Sequence, residues 1–167
     1  DLNKIVLNSI RERIENHSDY TLLSSRYALD LLSKKIIDSH ITDADYQAKY
    51  SQAFSSYIRK GVKLEMLNQE FLTFDLDQLS QAIASKNDLK FKYLGVQIVQ
   101  DRYLLRDRST SREVYELPQW FWMRVAMMVI LALRIVILSL YESISVCFIK
   151  CLVASLLLLA NALLMLC

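Results

Sequence analysis

Apolar residues recur at helical spacing through the first two thirds of the chain. Leu2, Val6, Ile10 and Ile14 form one stripe with Lys4, Arg11, Glu12 and Glu15 between them, which predicts an amphipathic helix of about four turns. His17, Ser18 and Asp19 break that pattern, and Ser18 or Asp19 is placed to accept from the free amides of a second helix whose predicted inward face is Leu23, Tyr27, Leu31 and Ile36. Thr42 and Asp45 resemble a capping box ahead of a helix carrying Tyr46, Tyr50, Phe54 and Ile58, with Gly61 as its left-handed stop. Val62 to Leu67 reads as a short helix and Phe71 to Phe74 as a connector. Asp75 caps a helix bearing Leu76, Leu79 and Ile83, and Asn87 and Asp88 form the next turn.

From Leu89 to about Leu105, the positions Phe91, Leu94, Ile98 and Leu105 again suit a helix. Arg106 to Arg112 is polar enough for a loop tip, and Val114 and Tyr115 can pair with Tyr103 to Leu105 as a small hairpin. Pro118 suits the first turn of a further helix. The expected fold is therefore all-α, an array of about seven helices with at most one short β-hairpin near 103–115. Two parts are expected: a charged, amphipathic part over 1–116 and a strongly apolar part over 117–167.

Composition supports this reading, since 2 glycines and 1 proline are too few for the turns of a sandwich or barrel. Twenty basic against eighteen acidic side chains, without a long single-sign block, leave no electrostatic footprint for nucleic acid. Cys147, Cys151 and Cys167 all lie in the apolar tail, as buried thiols in a reducing compartment would. Asp1 to Asp19 lacks the apolar core of a secretory signal, so the expected location is cytoplasmic.

Candidate chemistry is sparse. Cys147 and Cys151 share a helical face, but no His or Asp stands near them and core packing is the simpler reading. His17 and His40 sit at predicted helix ends. Asp101, Arg102, Arg106, Asp107, Arg108 and Arg112 alternate in sign, as a solvated face does, and Trp120 and Trp122 suit the buried start of a helix better than a base-stacking platform. No catalytic and no metal-ligating residue is expected.

Longer strings carry more information. YLGVQIVQDRYLLRD from Tyr93 and YELPQWFWMRVAM from Tyr115 to Met127 resemble the large chain of class I ribonucleoside-diphosphate reductases, with its YLGLQTLYDRYLL and ELPQ.FWMRVAMGLAL segments. DLNKIVLNSIRERIENHSDYTLLSSRYALDLL at Asp1 to Leu32 and YIRKGVKLEMLNQEFLTFDLDQL at Tyr57 to Leu79 are similar to earlier helices of that family. LYESIS at Leu140 to Ser145 and SLLLLANA at Ser155 to Ala162 stay in register, the latter where the family has STPTLFNA or STPTLANA. Ser155, Leu159, Asn161 and Ala162 agree, while Leu156, Leu157 and Leu158 replace Thr-Pro-Thr and Met128 replaces a Gly.

The resemblance implies the helical region before a catalytic barrel. It also implies a family chemistry in which a thiyl radical removes a ribose hydrogen and a cysteine pair supplies electrons, reducing ribonucleoside diphosphates to deoxyribonucleotides for DNA synthesis. Implied with it are ATP and deoxynucleoside triphosphate effectors, homodimerisation, and a small (beta) subunit holding a metal-radical cofactor. Ser155 and Leu156 mark the substrate-binding turn, Leu156 standing where the family has a phosphate-contacting Thr; a leucine offers no hydroxyl to a phosphate oxygen. The redox and radical cysteines lie outside this sequence, so the chain is expected to be an inactive fragment that scaffolds. The rival expectation is a non-catalytic membrane protein anchored by two helices, Phe121 to Tyr141 and Val146 to Cys167. Each is long enough for a bilayer of about 30 Å, although Arg134 would cost about 2.5–3.5 kcal/mol at its centre.

Overall fold

The computed structural model describes residues 2–107 and 112–140, the last six of them by backbone alone. It is all-helical: α1 (Leu2–Arg11), α2 (Asp19–Ile37), α3 (Tyr46–Lys63), α4 (Leu76–Ala82), α5 (Tyr93–Arg102) and α6 (Pro118–Leu140), with 3-10 turns at Gln69–Thr73 and Ser85–Lys90. Among the described residues there is no strand. The expected hairpin is reduced to one antiparallel bridge, Arg106 with Val114, flanked by the Tyr115 amide on the Leu105 carbonyl at 3.2 Å and the Asp107 amide on the Glu113 carbonyl at 2.8 Å. A lone ribbon with no sheet to join goes no further.

Tyr46, Tyr50, Phe54, Tyr57 and Ile58 recur every three to four residues, and all are buried along one side of α3. They meet Leu76, Ile83, Leu117, Trp120, Met123, Met127 and Leu131 in the main core. A smaller cluster of Ala28, Leu29, Tyr93 and Val96 joins α2 to α5, and α1 lies on α2 without burying any residue fully. Gln47 ties the segment after α4 to α3: its amide donates to the Ile83 carbonyl at 2.7 Å, and its oxygen accepts from the Ser85 amide and hydroxyl at 2.8 and 2.7 Å.

Several local expectations fail for identifiable reasons. The first helix ends at Arg11, a turn early, in a run of turns to Asn16. Neither Ser18 nor Asp19 caps α2; the His17 ring nitrogen accepts from the Asp19 amide at 3.2 Å and takes that role. The inward face of α2 is Ser24, Ser25, Ala28, Leu29, Leu32 and Ser33, rotated from the larger apolar set, and Leu23 is 49% exposed. Small residues win because α2 passes close to its neighbours: the Ser25 hydroxyl reaches the Phe91 carbonyl at 2.6 Å and Ser33 meets the Tyr46 hydroxyl at 2.7 Å. The same rotation affects α5, which buries Tyr93, Val96 and Val99 while Leu94 and Ile98 face out.

The Thr42 capping box does not form, and Asp45 makes no side-chain cap. Asp43 instead accepts from the His40 amide and the Ser39 hydroxyl, both at 2.8 Å, fixing the turn before α3. Phe71 lies in the 3-10 turn Gln69–Thr73, and Asn87 and Asp88 in the turn Ser85–Lys90. Asp75 does cap α4, accepting from the Asp77 and Gln78 amides.

Gly61 is no stop. The helix runs through it to Lys63, no short helix follows over Val62 to Leu67, and the left-handed residue is Glu65 at φ 54°. What Gly61 supplies is space: a Cβ there would stand 2.6 Å from Leu67 Cδ1, and the Leu67 amide folds back onto the Gly61 carbonyl at 3.1 Å. Gly61→Ala should therefore destabilise the chain, by about 1–3 kcal/mol of overpacking against about 1 kcal/mol of helix propensity. Urea unfolding of Gly61→Ala, of Leu67→Ala and of the double variant measures this; Leu67→Ala should cost less once Gly61→Ala is in place than it does alone.

Candidate functional site

The buried charged groups among the described residues meet at the start of α6. Pro118 opens this helix, and the residues around it, Glu116 to Arg124, alternate between the apolar core and two buried carboxylates. Glu116 is fully buried and accepts four hydrogen bonds. One oxygen takes the Tyr57 hydroxyl and Arg124 Nε at 2.7 Å, and the other takes the Leu105 amide at 2.7 Å and Arg124 Nη2 at 3.2 Å. Arg124 Nη2 reaches onward to the Tyr103 carbonyl at 3.3 Å. One carboxylate thus joins α3, the segment after α5 and α6.

The second carboxylate, Asp88, is 3% exposed. It accepts from the Tyr50 hydroxyl at 2.6 Å and the Gln119 side-chain amide at 3.1 Å. The Tyr50 hydroxyl in turn accepts from the Gln119 backbone amide at 3.1 Å, a donor the first turn of α6 would otherwise leave unpaired. Between the two clusters sits Trp120, whose Nε1 donates to the Tyr50 carbonyl at 3.2 Å and whose ring stacks on Tyr57 at 5.1 Å. Burying an indole removes about 150–250 Å² from water, roughly 4–6 kcal/mol of transfer free energy.

The electrostatics follow from burial. Burial works against the Arg124 charge, but the Glu116 hydrogen bonds and attraction outweigh it and hold the guanidinium more firmly protonated than usual. Burial, with Glu116 beside it, pushes the Tyr57 hydroxyl far above the ordinary range, and burial next to Asp88 does the same to Tyr50. Neither phenol ionises in working conditions. Burial pushes Asp88 up to about 7, the Tyr50 and Gln119 hydrogen bonds pulling the other way.

Beside this girdle an open cleft of about 300 Å³ lies between α2, α3 and the bridged segment, lined in part by Lys35, Tyr57, Lys60, Glu113, Tyr115 and Trp120. Within it Lys35 pairs with Glu113 at 3.1 Å, and Lys60 stands 5.4 Å over the Tyr115 ring. Among the described residues no group of three His, Cys, Asp or Glu side chains could hold a metal ion.

Residues 89–143, which take in the bridge and the whole of α6, match the family described as ribonucleotide reductase, all-alpha domain. A ribonucleoside-diphosphate reductase subunit alpha of Chlamydia muridarum is 36% identical over 117 residues, 70% of this chain and 11% of the relative. The corresponding subunit of Chlamydia trachomatis is 32% identical over the same length, and that of Helicobacter pylori is 43% identical over 54 residues, 32% of this chain and 7% of the relative. The chain belongs to the alpha-subunit family of ribonucleoside-diphosphate reductases. Its matched stretch spans about a tenth of the length of the Chlamydia relatives.

Within this family domain, much of the string ELPQWFWMR has a structural explanation, Trp122 excepted, whose buried Nε1 has no hydrogen-bond partner among the described residues. Glu116 and Arg124 pair, Pro118 starts the helix, Gln119 serves Asp88, and Trp120 fills the space between. In sequence Arg124 stands merely as one charge in an apolar run, and nothing local gives Glu116 or Asp88 a partner. The available signal was a Glu and an Arg eight residues apart flanking aromatic residues, but Tyr57 and Tyr50, which complete the two clusters, lie more than fifty residues from α6 in sequence.

The expected site residues Ser155 and Leu156 lie outside the described residues, as do Cys147, Cys151 and Cys167. His40 stands by Asp30 at 2.8 Å on the exposed surface; of the expected charged group Asp101, Arg102, Arg106 and Arg112 are exposed, with Arg106 3.7 Å from Asp101, Asp107 is half-buried, and Arg108 lies outside the described residues. Of the two expected membrane spans, the first falls on α6, which buries Trp120, Phe121, Met123, Met127 and Leu131 in the protein core. Among the described residues no helix is long and apolar enough to cross a membrane; Val146 to Cys167 lies outside them.

Two measurements check the girdle. Glu116→Gln and Arg124→Met should each cost about 3–5 kcal/mol, because each leaves a buried partner unpaired, and the double variant should cost well under their sum. Urea unfolding of the four chains closes that cycle. For Asp88, the folded pKa of about 7 lies above the ordinary value of 3.8, so the folded chain holds a proton that the unfolded chain releases. Its contribution is complete below about pH 4 and is lost as pH rises through about 7, with a slope approaching 1.4 kcal/mol per pH unit between. Asp88→Asn, in which a flipped Gln119 amide can still pair, should remove that slope. The unfolding free energy of the parent should therefore fall relative to Asp88→Asn between about pH 5 and 7 and run parallel to it above about pH 8.

Proposed function

We propose that this chain serves as the helical scaffold of a ribonucleoside-diphosphate reductase alpha subunit, in a protein that reduces ribonucleoside diphosphates to deoxyribonucleotides. The observation that supports a scaffolding role is the saturation of the site. Glu116 accepts four donors and Asp88 two, Gln119 and Arg124 are consumed in holding them, and Trp120 Nε1 is taken by the Tyr50 carbonyl. No group of this girdle is placed to transfer a proton to a substrate: the two phenols do not ionise, the buried guanidinium stays charged, and Asp88, which burial pushes up to about 7, is shut in at 3% exposure. The likeness to subunits named for the reaction supports the activity of the whole protein.

On this reading the chain by itself turns over nothing. A small beta subunit with its metal-radical cofactor, a second alpha chain, and ATP and deoxynucleoside triphosphate effectors belong to the working enzyme, and the cytoplasm is its compartment. Ser155 keeps its place in the substrate turn, while Leu156 brings no hydroxyl to the diphosphate, so that turn holds phosphate less well than one with Thr.

Grafting tests this. The aligned stretch of the Chlamydia muridarum subunit is replaced by that of this chain, and reduction of cytidine diphosphate is measured with the beta subunit present. Turnover within about tenfold of the unaltered relative is expected, about 1.4 kcal/mol in the barrel's activation free energy. A folded but inactive graft counts against the reading. The isolated chain, titrated calorimetrically with ATP, dATP and the four ribonucleoside diphosphates, should show no binding heat.

A further inference from the structure

The two buried carboxylates at the foot of α6 differ in what faces them. Glu116 has a cation, Arg124, and accepts four hydrogen bonds in all. Asp88 has two donors, both neutral: the Tyr50 hydroxyl at 2.6 Å on Oδ2 and the Gln119 side-chain amide at 3.1 Å on Oδ1. The other charged and titratable groups around it are engaged elsewhere or stay neutral. On α3, burial above all, with Asp88 and Asp30 as smaller causes, holds the Tyr46 phenol above its ordinary range, and Tyr50 stays neutral as well. On α6, Arg124 is committed to Glu116; on α2, Asp30 holds His40 and the Ile41 amide. Lys86 and Lys90, in the same turn as Asp88, are exposed. A carboxylate at 3% exposure, with no cation among the described residues against it, takes up a proton more readily than one in water.

Protonation changes what the neighbours must do. An ionised carboxylate only accepts, which suits the two donors that converge on it, whereas a carboxylic acid must also donate. A proton on Oδ2 would meet the Tyr50 hydroxyl proton. Tyr50 is held in its role from the other side, its oxygen accepting from the Gln119 backbone amide at 3.1 Å. A proton on Oδ1 meets the Gln119 side chain instead, which carries a donor and an acceptor on one planar group. Half a turn of that group exchanges Nε2 for Oε1 and breaks only the bond to Asp88, since neither atom has another partner among the described residues. We propose that Asp88 and Gln119 form a proton-operated switch at the junction of α3, α6 and the turn Ser85–Lys90: with Asp88 ionised the Gln119 amide donates to it, and with Asp88 protonated on Oδ1 the amide turns over and accepts. The proton comes from water, and nothing else is transferred. The structure holds the ionised arrangement. Burial brings the changeover up to about 7, against the pull of the Tyr50 and Gln119 hydrogen bonds. Both states fasten the turn to α6 through one hydrogen bond, but only the ionised one keeps a charge without a counter-ion in the core. Acid therefore tightens the joint and alkali loosens it. The switch is independent of reductase activity, because it concerns how the helical domain holds α6.

Nuclear magnetic resonance of the isotope-labelled full chain reads both partners in one titration from about pH 5 to about pH 9. The Asp88 carboxyl carbon reports the proton, and the Gln119 side-chain amide pair, assigned by its loss in Gln119→Met, reports the orientation. The two signals should move together with one midpoint. In Asp88→Asn, whose own amide can donate where the acid does, the Gln119 pair should stay at the acid-limit position at every pH. A carboxyl carbon that titrates while Gln119 stands still overturns the switch. So does a carboxyl carbon that does not titrate in this range, or a Gln119 pair in Asp88→Asn at the alkaline-limit position. A second readout needs no variant. Hydrogen exchange of the Gln119 backbone amide, corrected for its intrinsic pH dependence, should lose protection by up to about tenfold per pH unit from about pH 5 to about pH 7 and level off above about pH 8. Constant protection across that range overturns the loosening of the joint.

Discussion

Two carboxylates buried at the entrance of α6 are the constraint on which this arrangement depends. Taking a carboxylate out of water costs several kcal/mol, and the cost is recovered only where donors converge on it with good geometry. Glu116 is met by Tyr57 from α3, by the Leu105 amide and by Arg124 from α6. Asp88 is met by Tyr50 from α3 and Gln119 from α6. With Trp120 between them, the clusters allow α6 a single rotation and a single height against α3. A shift by one residue would strand both groups.

Most of the stabilising free energy comes from apolar burial, of Phe54, Ile58, Phe71 and Leu117 and of the rings of Tyr50 and Trp120, all buried to 1% exposure or less. The polar girdle adds uniqueness to that burial. Apolar contacts are non-directional and would tolerate several registers of α6, whereas a four-donor carboxylate tolerates one. The same division runs through α2, where Ser25 and Ser33 contribute little area but set how near α5 and α3 can come. Gly61 works in the same way, as an absent side chain that admits Leu67.

The functional consequence is that the domain's most recognisable string is an architectural one. Glu116, Pro118, Gln119, Trp120, Met123 and Arg124 are buried, and they fasten α6 against α3 and the segment after α5.

By itself, the sequence determined the class of the fold and its strongest elements. Scarce Gly and Pro, the aromatic spacing of Tyr46 to Ile58, the cap at Asp75 and the start at Pro118 are local signals, set by hydrogen bonds and side-chain spacing within a few residues. The long strings around Leu94 and Trp120 likewise carried the family. Only the tertiary structure decided which face of α2 and α5 turns inward, because close helix approach selected Ser24, Ser25, Ala28 and Val96 over the larger Leu23, Leu94 and Ile98. It alone paired Glu116 with Tyr57 and Asp88 with Tyr50, for each pair joins residues tens of positions apart that periodicity cannot relate. Distance along the chain limits what a local pattern can encode, and in this protein the site is made of contacts beyond that limit.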